Sequence, residues 1–121
     1  MPNGSPMEFV RDGLSRAGVV RISEVKDVVH GSRVQVAGVV THRQRPSTAE
    51  GITFLNLEDE TGLANVICSV GVWRRYKKVA RSAHVMIVTG KLERVDNVIN
   101  LVAHRLESLE LNMALSSRDF R

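Results

Sequence analysis

At 121 residues, with 43% apolar and 25% charged side chains, the chain has room for one small domain and is too apolar for a disordered polymer. Its one cysteine, Cys68, excludes an internal disulfide and favours a reducing, cytoplasmic setting. No apolar run approaches the roughly twenty residues of a membrane span, no signal peptide is visible, and a net charge of +4 permits attraction to phosphates without requiring it.

Residues 1–31 read as a leader and helical segment. Met1–Pro6 is turn-rich, and its own Met1 leaves open whether the chain is an excised fragment or free-standing. Met7–Ala17 carries Met7, Val10 and Leu14 on one stripe, which predicts a short helix ended by Gly18. Ser23 with Glu24 predicts one further helical turn before His30-Gly31.

From Ser32 the texture turns to strands, and residues 32–110 form the expected domain. Val34–Val40 and Met86–Leu92 share an apolar-x-apolar-x-Gly-x-apolar pattern. A glycine inside a strand points to a bulge or sharp bend, as a small closed barrel needs. His42–Gly51 is expected as a basic loop holding Arg43, Gln44, Arg45 and Pro46. The strand Ile52–Glu58 alternates: Thr53, Leu55 and Leu57 on one face, Ile52, Phe54, Asn56 and Glu58 on the other.

Glu58–Gly62 is expected as a turn, with a positive φ at Gly62. Its carboxylates have no histidine or acid at ligand spacing, so a turn is favoured over a metal site. In Leu63–Cys68, Ala64, Val66 and Cys68 share one face and Asn65 and Ile67 the other. Val72–Arg81 predicts one amphipathic helix, with Val72, Trp73, Tyr76, Val79 and Ala80 inward and five cations outward. Strands over Val85–Arg94 and Val98 to about Leu106 follow, joined at Asp96-Asn97, and residues 111–121 form a tail.

Five strands with a helix between the third and fourth define an all-β OB-fold, a Greek-key barrel that binds oligonucleotides on strands two and three beside the first and last interstrand loops. Phe54, Asn56 and Asn65 fall on that face, and Arg43 and Arg45 on the first loop. Lys91, Arg94 and Arg105 lie on or near the last hairpin, where a phosphate backbone would run. An outward ring among amides and guanidinium groups is equipment for stacking a base of single-stranded nucleic acid. The alternatives are an interaction module, for which the Ser116–Arg121 tail is a candidate docking peptide, and an RNA-binding domain.

Catalytic chemistry is not expected. His30, His42, His84 and His104 are scattered, and no HExxH, phosphate-binding loop, nucleophile elbow or Cys-x-x-Cys is present. No cofactor or metal is called for.

Val34–Thr41 followed by HRQRPSTAEGITFLNLEDETGLANVICS, the VWRRYKKVAR helix, the GKLER strand and the terminal SRDFR resemble the C-terminal region of the bacterial error-prone DNA polymerases, C-family paralogues of the replicative α subunit. The likeness covers about residues 6–121; one to the anticodon-binding domains of aminoacyl-tRNA synthetases is looser and confined to the barrel. The resemblance implies an accessory module of a translesion polymerase whose catalytic region lies elsewhere. It also implies the polymerase core, a Y-family-like accessory protein and the sliding clamp as partners. In related OB domains the strand-two aromatic and nearby polar groups face nucleic acid, which corresponds to Phe54, Asn56 and Asn65, with Arg43 and Arg45 less directly placed.

Overall fold

The computed structural model describes Met7, residues 10–46 and residues 50–109. The leader Met1–Pro6 and the tail with its Ser116–Arg121 candidate lie outside the described residues. The strands are β1 (Arg33–Gln44), β2 (Thr53–Asp59), β3 (Gly62–Cys68), β4 (Val85–Val95) and β5 (Val98–Ser108). They close into one barrel in the order β1-β2-β3-β5-β4. The expected OB-fold is the observed one.

The twelve residues of β1 close it. Arg33–Val39 pair with β4, Val39–Gln44 pair with β2, and the register slips between Val40 and His42. Gly38 and Gly90 show what the repeated glycine pattern is for. A Cβ on Gly38 would lie 2.7 Å from the Glu58 carbonyl oxygen, and one on Gly90 would lie 2.4 Å from that of Val102. Neither strand could bend so close to its neighbour with a side chain there. The β4–β5 register shifts at Thr89/Gly90.

Alternation along the strands fills the interior with Val36, Leu55, Leu57, Val66, Cys68, Met86, Val88, Leu92, Leu101 and Leu106. Burying a leucine such as Leu55 or Leu57 contributes about 1.5–3 kcal/mol. Both barrel ends are plugged. A 3-10 turn over Ile22–Asp27 inserts Ile22 and Val25 at one end. At the other end, α2 (Val70–Arg75) and α3 (Lys77–Ser82) insert Trp73 and Ala80.

The expected single helix is therefore two, broken at Tyr76, whose φ of −113° and ψ of 30° leave the helical region. Six residues is too short to hold a helix alone. What holds each segment is its apolar stripe on the barrel, helped at α2 by Ser69, whose Oγ accepts from the Val72 N–H at 3.2 Å.

The N-terminal helix α1 (Arg11–Arg16) is shorter than expected and covers the outer wall of β1 and β4. There Met7, Leu14 and Val19 pack with Ala37, Ile87 and Leu109 in a second apolar cluster. Arg11 locks this layer to the barrel. Its Nε donates to Glu60 Oε2 at 2.7 Å, and its Nη2 donates to Glu60 Oε1 at 3.0 Å and Asp59 Oδ2 at 3.2 Å.

Asp59, expected at a turn tip, is a buried hub. It accepts from the Ile22 N–H through Oδ2, and from the Thr61 N–H, Thr61 hydroxyl and Gly62 N–H through Oδ1. Because that carboxylate organises the turn, Gly62 keeps an ordinary φ and is not among the positive-φ glycines 18, 31 and 51. The β4–β5 turn does use positive φ, at Asp96 and Asn97.

Candidate nucleic-acid interface

With one outer wall of the barrel under α1, the wall formed by β2, β3 and β5 is left uncovered among the described residues. Side chains alternate, so Phe54 and Asn56 face out from β2 while Leu55 and Leu57 fill the core. Asn65 and Ile67 do the same from β3. Strand register aligns these residues into two transverse rows. One runs Gln44, Phe54, Ile67, Val102, Lys91; the other runs His42, Asn56, Asn65, Asn100, Glu93.

The first row is an apolar platform with a polar end on each side. Phe54 is 37% exposed, an accessible ring backed by Ile67. The second row is rich in amides. Asn56 Nδ2 donates to Asn65 Oδ1 at 2.9 Å, which leaves the Asn56 oxygen and the Asn65 NH₂ without partners among the described residues. An acceptor beside a donor is the pattern that reads the polar edge of a base.

The cations divide. Arg45 is exposed and its guanidinium lies 5.2 Å from the Trp73 ring centroid, within cation–π range. Lys91 is exposed beside Val102. Arg43, on the strand and not in a loop because β1 extends to Gln44, bends to the end of α3. There its Nε donates to the Ala80 carbonyl at 2.7 Å and its Nη2 donates to that of Ala83. Arg94 donates to the Lys26 and Val28 carbonyls, and its N–H donates to His30 Nδ1 at 2.9 Å. Arg105 is opposite Thr89, away from Phe54, and pairs with Glu107 at 3.3 Å.

His42, Asn100 and Val102 were not singled out from the sequence. His42 was counted in a basic loop and among the scattered histidines, and the other two join the face through the short parallel pairing of β3 with β5, which no local periodicity records. The exposed cations of α2 and α3 (Arg74, Arg75, Lys77, Lys78, Arg81) stand at the end of the barrel and off the open wall.

Cys68 is buried, and burial pushes its thiol up to about 11, so it stays protonated at neutral pH. Among the described residues no group of three or more His, Cys, Asp or Glu is placed to hold a metal ion. No described helix is long and apolar enough to cross a membrane.

A closed five-stranded barrel with this open wall defines a class, and the sequence agrees. Residues 34–109 match the family model described as an OB-fold nucleic acid binding domain, and the chain belongs to that family. More particularly, its curated homologues are error-prone DNA polymerases. It is 49% identical over 120 residues to that of Nocardia farcinica and 56% identical over 117 residues to that of Cutibacterium acnes, covering 99% and 96% of this chain. It spans about 10% of each relative, so the bulk of those polymerases, catalytic region included, lies outside it.

Among solved structures the barrel superimposes on asparaginyl-tRNA synthetase from Pyrococcus horikoshii, with a TM-score of 0.63 and 23% identity, covering 75% of this chain and 22% of that one. It also superimposes on a chain of the S. pombe Stn1-ten1 complex, with a TM-score of 0.56 and 20% identity, covering 74% and 67%. At these identities the likeness is one of fold.

Proposed function

We propose that this module binds single-stranded template DNA on behalf of an error-prone polymerase, holding the strand across β2, β3 and β5. The observation that carries the reading is the outward Phe54 ring beside the Asn56–Asn65 pair, on the wall α1 leaves open. Phe54 stacks one base, the amide row meets the polar edge of a neighbour, and Arg45 and Lys91 approach phosphates at the ends of the platform. Arg43, Arg94 and Arg105 contribute mainly through the field of the surface, since their guanidinium groups have partners within the chain. Such a domain serves, as an accessory, a polymerase engaged in translesion synthesis after DNA damage, in the cytoplasm. The polymerase core and a Y-family-like accessory protein are its expected associates.

Fluorescence anisotropy with labelled oligo-dT tests this. Phe54→Ala should weaken binding by about 1–3 kcal/mol, and log affinity should fall linearly with log salt. Equal affinity for the variant and the parent retires the stacking assignment.

A second reading, a docking surface for the polymerase core or an accessory protein, is favoured by one observation. Leu63, Val95 and Val98 are 63%, 59% and 51% exposed at the β4–β5 hairpin end of the wall. Retention of partner protein after nuclease treatment, with no oligonucleotide binding, would establish it instead.

A further inference from the structure

A cleft of about 330 Å³ opens at the hairpin end of the same wall, between the Ile22–Asp27 turn and the starts of β3 and β5. Strand pairing explains why it exists. β3 and β5 pair only over Asn65–Ile67 with Asn100–Val102, so Gly62–Ala64 and Val98–Ile99 stand beside each other without a ladder between them. At Ala64 the inward row of β3 has a methyl where the next two positions carry Val66 and Cys68, so the gap is not filled from within.

The floor is apolar, made of Ile22, Val25, Val36 and Leu101, and the rim is polar, with Ser23, Lys26 and Asn65. Asn65 belongs both to this rim and to the amide row, and its NH₂ has no partner among the described residues. The cleft is thus the end of the open wall, reached by a strand whose preceding base lies on Phe54.

We infer that the cleft receives a second, unstacked nucleobase of the bound strand. The base lays its face on the half-buried Ala64 and Ile99 above that floor, offers an edge to the Asn65 amide, and leaves its phosphate beside Lys26. A planar, apolar-faced, polar-edged group suits a slot with a greasy floor and an amide at its mouth. The inference rests on the strand-binding reading above and adds a site to it.

The test uses the shortest oligo-dT that binds at full strength, which fixes the register, with one abasic sugar walked along it. Two positions should be sensitive, each losing roughly tenfold in affinity, one for Phe54 and one for the cleft. Ala64→Leu fills the cleft from the barrel side. Ser23→Leu fills it from the exposed side without altering the interior. Either variant should erase the second sensitive position and spare the first. Strong binding with a single sensitive position, or a second position that both variants leave sensitive, overturns the cleft assignment while the strand-binding reading stands. Failure of the parent chain to bind any strand overturns both.

Discussion

Arg11 and Glu60 meet through two parallel hydrogen bonds of 2.7 and 3.0 Å across 49 residues of chain, and the same guanidinium reaches Asp59. The arginine side chain is 6% exposed, those of Asp59 and Glu60 0% and 11%. Removing one partner of such a group strands the other charges away from water. Arg11→Met should therefore lower unfolding free energy by about 3 kcal/mol, read from urea midpoints at constant m-value. A change below about 0.5 kcal/mol would mean that the layer under α1 is held by its apolar contacts alone.

Acid should act through the same pair. The hydrogen bond from Arg11 holds the Glu60 carboxyl below its ordinary value of 4.5. The folded state then binds that proton less readily than the unfolded chain does, so the stabilisation is complete above the unfolded pKa and is lost as pH falls through the lower, folded one. Urea midpoints should drop as pH falls below about 5, and Glu60→Gln should flatten that part of the profile. An equal slope in the two proteins would place the acid sensitivity elsewhere.

Arg43 and Lys91 should separate by readout. Arg43 is engaged with the Ala80 and Ala83 carbonyls, so Arg43→Ala should cost about 1.5–3 kcal/mol of stability. Lys91→Ala should leave stability within about 0.5 kcal/mol and reduce the salt dependence of strand binding by about one phosphate contact. Interchanged results would reverse these roles.

Thr53 faces the interior, and its hydroxyl is buried without a hydrogen-bond partner among the described residues. Thr53→Val keeps the branched shape and removes the unsatisfied oxygen, so it should raise stability by about 1 kcal/mol in thermal or urea unfolding. A loss of stability would show that the hydroxyl has a partner in solution.

Much of this barrel could be read before any coordinates. Alternation in β2 and β3 assigned Phe54, Asn56 and Asn65 to the outside because a strand with one wet face has period two. The repeated glycine pattern marked the bends at Gly38 and Gly90. What stayed hidden was non-local. The acidic run 58–60 looked like a solvated turn because its partner, Arg11, is nearly fifty residues away. Arg43 looked available because nothing in its neighbourhood announces the carbonyls at 80 and 83. The break at Tyr76 was missed because the apolar spacing of 72–80 continues through it.

The double duty of β1 bears on how the chain reaches this shape. Arg33 pairs with Lys91 and Gln44 with Phe54, so one strand must find a neighbour nearly sixty residues downstream as well as one close by. Loop closure of that span precedes the contacts that reward it, which puts assembly among the slower small domains, on the order of milliseconds to seconds. During synthesis β1, β2 and β3 would emerge first as an unsealed ribbon with bare edges. Only arrival of the β4–β5 hairpin removes that invitation to self-association.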